Sequence, residues 1–227
     1  HLGQKPSVAS GGIIGRPGRF GKAVQLAPGR TNHLTNPSVE TTNWITYGSP
    51  VYCSYVTEWS AFGNRSMYIE GTGYNAGAVV QGTVAASIGA TYTASVYLKV
   101  RAGRARLRIY GSGWASRAET TVDAPFEGRI SVSYTAQYSE NLGVVVLTAS
   151  GSSCQFYADA AQLETGPLTP YLDGSLGDGH AWTGTPHASA STRTATDLQY
   201  STAGSFDPKR GTVLAWLYCD AIAGNAN

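Results

Sequence analysis

Alternation of apolar and polar side chains along short segments is the feature of this sequence that most constrains its fold. The period is clearest at residues 91–100 and recurs at 66–70, 104–109 and 129–134. In the first of these segments, the apolar members are Tyr92, Ala94, Val96, Leu98 and Val100. Successive side chains of a strand point to opposite faces of a sheet, so this period predicts antiparallel strands with one face on a core.

Turn residues separate the alternating segments at short, regular intervals. Clusters rich in Gly, Ser and Asn occur at 71–73, 111–113, 139–141 and 151–153, and almost no helical period lies between them. About eight short strands at this spacing are typical of a sandwich or jelly roll. The sequence therefore predicts an all-β protein, with an antiparallel two-sheet jelly-roll sandwich over residues 32–172.

The segments that flank residues 32–172 lack the regular pattern. Residues 1–31 are punctuated by Gly and Pro and are interpreted as an N-terminal extension. Residues 173–196 are rich in Gly, Ser, Thr and Ala, which predicts a linker or an extended path over a surface. Residues 197–227 form a C-terminal segment that contains one strand at 211–219.

The strand at 211–219 is apolar on both faces, and an isolated strand of this kind is not stable in water. Burial of each large apolar side chain contributes about 1.5–3 kcal/mol. We therefore expect the strand to pair with a neighbouring subunit or with the N-terminal segment around 20–26. The candidate assembly residues are Val213, Leu214, Trp216 and Tyr218.

Composition and charge limit the classes of function. Only 13% of residues are charged and 28 of 227 are Gly, a balance typical of extracellular or virion β-proteins. The net charge of +2 is too small to indicate nucleic-acid binding, and no apolar run has the length of a membrane span. Because no nucleophile–base–orienter set and no Gly-x-Ser-x-Gly or His-Glu-x-x-His motif is visible, we expect a non-catalytic protein.

Two motifs bracket the predicted jelly roll. Asn36-Pro37-Ser38-Val39-Glu40, with Trp44 nearby, opens it, and the segment from Asp159 to Gly166 closes it. Together they resemble the carbohydrate-binding jelly-roll modules of the family 4/9/22 type. The tail from Leu168 to Gly174 resembles versions found in phage tail and other virion surface proteins.

The flanks resemble pieces of a different sandwich. The segment from Gly18 to Ala23 is similar to the closing motif of a laminin-G/concanavalin-like domain. The segment from Phe206 to Leu217 is similar to an opening strand of such a domain. A whole domain of this type is absent on either side, so no activity is carried over from the flanks.

A metal site is implied by the resemblance to carbohydrate-binding modules. In those modules a structural calcium joins the opening segment to the last strand, where Glu40 and Asp159 stand in this sequence. Calcium prefers carboxylate and carbonyl oxygens. The two residues fit equally well a carboxylate that caps a turn and another on a solvent face. A calcium ion here would stabilise the fold and take no part in a reaction.

Aromatic residues are numerous enough to form a sugar-binding platform. The aromatic residues considered for such a platform are Trp44, Tyr47, Tyr52, Tyr55, Trp59, Tyr97, Tyr110 and Trp114. Trp59, Tyr97, Tyr110 and Trp114 lie on polar strand faces or in loops, and these four are the candidate carbohydrate-binding residues. Trp44 is expected in the core. A subunit interface uses the same residue types and explains the four at least as well.

Arg104, Arg106 and Arg108 form a basic stripe on one strand face. One interpretation is that the stripe binds an anionic glycan or an acidic neighbouring surface. The stripe is also typical of a solvated face, or of an edge strand that charge protects from unwanted pairing, and we favour these interpretations over a binding role.

The cysteines match no zinc or redox motif. Cys53 and Cys154 fall near the two ends of the predicted domain, which often lie side by side in a sandwich. The sequence leaves open a disulfide between them or two small buried apolar residues.

The first functional hypothesis is a non-catalytic structural or adhesive component of a virion, such as a phage tail or appendage, built on the jelly roll. Its partners are neighbouring subunits in a homo-oligomer, or adjoining domains, and a cell-surface polysaccharide. Two alternatives remain: a secreted carbohydrate-binding module of a larger enzyme or surface protein, and a self-assembling extracellular filament subunit that exchanges strands. All place the protein in a virion or outside the cell.

Overall fold

The computed structural model describes most of the chain. Backbone and side chains are described for residues 28–149, 151 and 153–195. Four short strands beyond these ranges are described by their backbone: Ser7–Ser10, Ile14–Gly18, Gly21–Gln25 and Asp197–Gln199. The predicted assembly residues Val213, Leu214, Trp216 and Tyr218 lie outside the described residues, and their role stays a prediction.

Strands dominate the described chain. In order they are β1 (Ser7–Ser10), β2 (Ile14–Gly18), β3 (Gly21–Gln25), β4 (Arg30–Asn32), β5 (Ile45–Tyr47), β6 (Tyr52–Val56), β7 (Ser66–Gly71), β8 (Gly77–Ala85), β9 (Thr91–Ala102), β10 (Arg104–Tyr110), β11 (Ser116–Asp123), β12 (Phe126–Thr135), β13 (Asn141–Thr148), β14 (Cys154–Thr165), β15 (His180–Trp182), β16 (Ser191–Arg193) and β17 (Asp197–Gln199). A single 3₁₀ turn, Ser112–Trp114, interrupts the described strands. No helix among the described residues has the length and apolar character to cross a membrane.

Ten strands form two five-stranded antiparallel sheets. The front sheet has the order β11-β10-β13-β8-β5, and the back sheet has the order β12-β9-β14-β7-β6. Most neighbours within a sheet are distant in sequence, which is the connectivity of a jelly roll. The predicted all-β, antiparallel jelly-roll sandwich is confirmed, with ten strands rather than about eight.

The core lies between the two sheets and follows the alternation in the sequence. Leu98 of β9 and Leu107 of β10 are fully buried, as is Phe156 of β14. Trp44 lies in the same core, as predicted, and its indole Nε1 donates a hydrogen bond to the backbone oxygen of Asn36 at 2.8 Å. The polar members of each alternating segment face away from this core.

A bulge in β14 joins the opening and closing motifs of the domain. The register between β14 and β9 shifts between Asp159 and Gln162, and Ala160 has a left-handed φ of 51°. The backbone N–H of Ala161 then donates to the backbone oxygen of Pro37 at 2.9 Å. The turn that precedes the first strand of the sandwich is therefore bound directly to its last strand.

A third, three-stranded side sheet has the order β15-β16-β4. Asn32 of β4 is fully buried, accepts a hydrogen bond from the backbone N–H of Leu163 at 3.0 Å and donates one to the backbone oxygen of Leu172 at 3.1 Å. The segment 173–196, predicted to be a linker or an extended path, thus contributes two strands that pair beside the sandwich. The domain boundaries themselves stay a prediction.

The outer strands pair in two small units. β1 pairs with β17, which joins the N-terminal and C-terminal flanks, and β2 pairs with β3. The N-terminal segment around 20–26 contains β3. The predicted partner of this segment, residues 211–219, lies outside the described residues.

The two cysteines of the sandwich are free thiols. The Cys53 sulfur lies 3.7 Å from the sulfur of Met67, and the Cys154 thiol donates to the backbone oxygen of Arg104 at 3.1 Å. Burial raises the pKa of Cys154 to about 11. Of the two interpretations left open by the sequence, these contacts fit two separate, largely buried residues.

Replacement of a core leucine tests this packing. Leu98→Ala is expected to lower the free energy of unfolding by about 2–5 kcal/mol, because it leaves a cavity between the sheets. Leu168 is 45% exposed, and Leu168→Ala is the matched control, with an expected change of about 0.5 kcal/mol. Urea unfolding monitored by tryptophan fluorescence measures both values, and equal effects of the two substitutions would contradict the assigned core.

Candidate functional site

The four predicted carbohydrate-binding residues fall into separate clusters. Tyr110 and Trp114 lie on the outer face of the front sheet, where their rings stack on each other. Trp59 and Tyr97 lie on the side of the back sheet and contact different neighbours. The four residues therefore do not form a single platform.

Three aromatic rings form what we call the front platform: Tyr47, Tyr110 and Trp114. The ring centroids of Tyr110 and Trp114 are 4.6 Å apart, with 30° between the ring planes. The centroid of the Tyr47 ring lies 5.0 Å from that of Trp114, with 44° between the ring planes. Trp114 is 48% exposed, so part of the indole is open to solvent.

The front platform rests on an apolar patch. Val79, Val145 and Leu147 point out of the front sheet, yet they are buried beneath Tyr47 and Tyr110. Gly143 pairs with Tyr110 across the strands, and a side chain at Gly143 would collide with the phenol ring. The small residue lets Tyr110 lie across β13, which fixes the ring that supports Trp114.

Trp114 is held in a strained backbone conformation. Its φ is 64°, in the left-handed region that a bulky residue seldom adopts. Glu140 stabilises the turn, because its carboxylate accepts the backbone N–H of Ser112 at 2.7 Å and the guanidinium of Arg117 at 2.6 Å. These contacts stabilise the turn and therefore the position of the exposed indole.

A row of hydrogen-bonding groups runs beside the platform on the same face. The carboxylate of Glu119 on β11 accepts hydrogen bonds from the guanidinium groups of Arg106 at 3.2 Å and Arg108 at 2.9 Å. The Arg106 guanidinium also donates to the amide oxygen of Asn75 at 2.6 Å. Burial opposes ionisation of Glu119, but the two arginines hold its pKa below the ordinary value. The row is a preorganised set of planar, charged donors and acceptors.

The position of the arginine stripe corrects one interpretation from the sequence. β10, which carries Arg104, Arg106 and Arg108, is the second strand of the front sheet, and β11 is the edge strand. The stripe therefore does not protect a sheet edge. Its charges are matched across the strands instead: Arg104 pairs with Asp123 at 2.7 Å, as Arg106 and Arg108 pair with Glu119.

A second aromatic group, the back row, crosses the outer face of the back sheet. It consists of Tyr52, Tyr68, Tyr157 and Trp59, with successive ring centroids 5.7, 5.0 and 6.0 Å apart. The rings are tilted by 49–53° to each other. The Arg101 guanidinium lies 4.6 Å from the Tyr157 centroid. The back row therefore lacks the stacked geometry of the front platform.

Tyr97 belongs to neither group. Its ring lies 5.5 Å from that of Phe62 and 6.5 Å from that of Tyr171, and the Arg129 guanidinium lies 5.7 Å from its centroid. Tyr97 thus packs between the β6–β7 loop and the segment that follows β14. These contacts give it a packing role.

Glu40 and Asp159, the predicted metal ligands, meet at the β6–β7 loop. Asp159 is fully buried and accepts the backbone N–H groups of Ala61 and Phe62 at 2.7 and 2.9 Å. Glu40 accepts the backbone N–H of Asn64 at 2.6 Å. Burial raises the pKa of Asp159 to about 7, and the negative charge of Glu40 contributes to the rise.

This arrangement bears on calcium in two ways. The proximity of two carboxylates favours a cation, because a positive charge relieves their repulsion. Three of their four oxygens, however, already accept backbone N–H groups, so the pair is satisfied without a cation. The described residues contain no cluster of three or more His, Cys, Asp or Glu arranged for a metal. In this structure the pair anchors a loop, and calcium stays a prediction.

Several residues of the front platform and of the hydrogen-bonding row beside it have no feature in the sequence that distinguishes them. Glu119 and Asn75 are ordinary polar residues until the strand register places them against Arg106 and Arg108. Gly143 is one glycine among 28. The sequence predicts only the outward orientation of Arg108 and Tyr110, because both alternate with the apolar residues of β10.

Comparison with known proteins finds similarity in solved structures alone. No protein-family model matches the chain, and no curated protein matches it. A xylan-binding domain from CBM 22 is 17% identical, with 62% of this chain and 98% of that chain covered and a TM-score of 0.47. TmCBM61 in complex with β-1,4-galactotriose is 14% identical, with coverages of 58% and 97% and a TM-score of 0.45. The CBM22-1 xylan-binding domain of Paenibacillus barcinonensis Xyn10C is 14% identical, with coverages of 61% and 94% and a TM-score of 0.43.

Calcium titration tests the predicted metal pair. If Glu40 and Asp159 bind calcium, millimolar calcium raises the melting temperature of the protein above that in a chelator, by mass action on the folded state. Asp159→Asn is expected to abolish the calcium-dependent shift. The control is Asp123→Asn, which changes an exposed carboxylate on the front sheet. An identical melting temperature with calcium and with chelator would exclude the site.

Proposed function

We propose that this protein binds polysaccharide without catalysis, through the front platform of Tyr47, Tyr110 and Trp114. The observation that carries the proposal is the exposed Trp114 indole, stacked on Tyr110 and held by a strained, hydrogen-bonded turn. One face of a pyranose ring carries C–H groups that pack on aromatic rings. A fixed, partly exposed ring therefore offers a sugar a contact surface at little entropic cost.

The row beside the platform supplies the polar half of sugar recognition. Sugar hydroxyls are recognised by a few precisely placed polar groups next to an apolar surface. Arg108, Glu119 and Asn75 are such groups, and their mutual hydrogen bonds fix their orientation. The combination of stacked rings and planar hydrogen-bonding groups on one strand face favours binding of a sugar over simple packing.

The carboxylates near the platform favour binding over hydrolysis. A glycosidase needs a carboxylic acid with a raised pKa, paired with a second carboxylate across the scissile bond. Arginines hold the pKa values of Glu119 and Glu140 below the ordinary range, although burial opposes this at Glu119. Both groups therefore stay ionised and serve as hydrogen-bond acceptors.

Substitution of the exposed indole tests the proposal. Trp114→Ala is expected to weaken retention in affinity electrophoresis at least about tenfold, a loss of about 1.4 kcal/mol, because the central stacking surface is removed. The gels contain one polysaccharide each: xylan, β-1,4-galactan, mannan or a bacterial capsular polysaccharide. Far-UV and near-UV circular dichroism of each variant establishes that it is folded.

Trp59→Ala is the matched control, since Trp59 belongs to the back row and its indole N–H donates to Glu127 at 3.0 Å. We expect this variant to be retained like the unmodified protein. Loss of retention in Trp59→Ala but not in Trp114→Ala would move the site to the back sheet. Absence of retention of the unmodified protein on every gel would contradict polysaccharide binding.

The wider setting that we propose is an adhesive component of a virion or of another extracellular assembly, in which copies of this chain associate. Support comes from the resemblance of the segment from Leu168 to Gly174 to virion surface proteins, and from the apolar pattern of 211–219. A module of a larger secreted protein is the alternative, and it uses the same front platform.

Particle size in solution separates the two settings. The full chain is expected to form a homo-oligomer in light scattering coupled to size exclusion, because the apolar strand needs a partner sheet. Deletion of residues 197–227 is expected to leave a folded, monomeric sandwich. A monomeric full chain that still binds polysaccharide would support the module of a larger protein and contradict the assembly.

A further inference from the structure

A cavity lies beside the end of β14, between that strand and the side sheet. Its volume is about 430 Å³. The residues that line it are mostly basic or hydroxyl residues: Arg30, His33, Arg193, Thr31, Thr165 and Thr192. None of them belongs to the front platform, which lies on the opposite sheet. The lining presents no carboxylate, and its chemistry is that of hydrogen-bond donors with positive charge.

The region around the cavity carries more positive than negative charge. Glu164 is fully buried and lies 3.7 Å from the Nε of Arg30. The same carboxylate interacts electrostatically with Arg129 and Arg193. Three guanidinium groups thus share one carboxylate in a largely buried place. Buried charge is costly unless it is paired, so this excess calls for an additional anion.

Glu164 has little capacity to satisfy the three arginines. Its Oε1 accepts the side-chain amide of Gln162 at 2.7 Å and the backbone N–H of Thr169 at 2.8 Å. Its Oε2 accepts the hydroxyl of Thr169 at 2.7 Å. The carboxylate is therefore committed to the segment that follows β14 and leaves the guanidinium groups only partly neutralised.

Arg193 contributes buried positive charge next to the cavity. It is 2% exposed, and its two terminal nitrogens donate to the backbone oxygens of Pro170 and Pro28, each at 3.3 Å. Its Nε is buried without a hydrogen-bond partner, and so is the Nε of Arg30. An unsatisfied buried donor on a charged group costs more free energy than one on a neutral group. Both nitrogens are buried, so they add uncompensated positive charge beside the cavity and do not themselves contact a ligand in it.

We propose that this cavity binds a small oxyanion, with phosphate, sulfate or a sugar carboxylate as the chemical class of the ligand. Oxygen atoms of such an anion accept from guanidinium N–H groups at short, charge-assisted distances. Thr165, at the end of β14, also lines the cavity and supplies a neutral hydroxyl donor. A cation would add to the excess positive charge, and an apolar ligand would leave that charge without a counter-ion.

The bound oxyanion would connect three parts of the fold. Arg30 lies on β4, Arg193 lies on β16, and Thr165 ends β14. An anion in the cavity would neutralise excess positive charge where the three strands meet and would add a contact between the side sheet and the sandwich. The ligand therefore stabilises the folded state, which makes thermal unfolding a direct readout of binding.

The experiment measures the melting temperature of the full chain at constant ionic strength, while chloride is exchanged for low-millimolar phosphate, sulfate or glucuronate, with glucose as the neutral reference. We expect a saturable rise with an oxyanion and none with glucose. Exclusion of sulfate and phosphate from protein surfaces also stabilises proteins, but that effect requires far higher concentrations and does not saturate. Titration calorimetry with the effective anion gives the Kd.

Arg30→Gln is expected to weaken oxyanion binding at least tenfold, and Arg104→Gln, which changes an arginine exposed on the front sheet, is the control that keeps it. Thr165→Val is a second test that leaves all charges in place, and it too is expected to weaken binding. A response to phosphate and sulfate alone identifies a free inorganic ion, and a response to glucuronate alone identifies a sugar acid.

Equal melting temperatures in chloride and in every oxyanion would overturn the proposal. So would a response that Arg104→Gln reduces as much as Arg30→Gln does. The proposal stands apart from polysaccharide binding: we expect Arg30→Gln to keep its retention on polysaccharide gels and Trp114→Ala to keep its response to the oxyanion.

Discussion

The bulge in β14 is the constraint on which the rest of the structure depends. The left-handed residue Ala160 turns the strand so that the next N–H, that of Ala161, can bind Pro37 of the opening turn. The same irregularity directs the carboxylate of Asp159 to the backbone of the β6–β7 loop. One irregular residue in a central strand therefore fixes both the start of the sandwich and the loop beside the back row.

The two faces of the sandwich show how similar residues reach different chemistry. On the front sheet, a glycine below Tyr110 and a turn braced by Glu140 leave an indole flat and exposed. On the back sheet, the indole N–H of Trp59 donates a hydrogen bond to Glu127, and the guanidinium of Arg101 lies over the ring of Tyr157. Residue type alone does not distinguish them. The front platform and the back row differ in how neighbouring side chains contact the rings and their hydrogen-bond donors.

The fold follows from local pattern, and the site does not. The alternation at 91–100 and 104–109 is a property of each strand alone, so the sandwich and outward positions such as Tyr110 are predictable. The meeting of Glu119 with Arg106 and Arg108 depends on strand register, which turn geometry and packing decide. Asp159 and Glu40 could be placed at one end of the domain only through a family resemblance, and their hydrogen bonds to the loop backbone could not be foreseen.

The antiparallel pairing of β4 with β16 has a consequence for how such a module evolves. Thr31 and Thr192 are direct partners, so the chain enters and leaves the sandwich through adjacent strands. A unit with neighbouring entry and exit can be inserted into a surface loop of another protein, since the host loses little loop-closure entropy and keeps its own strands in register. The sandwich is thereby a transferable unit, which can move from one protein to another as one block together with the front platform.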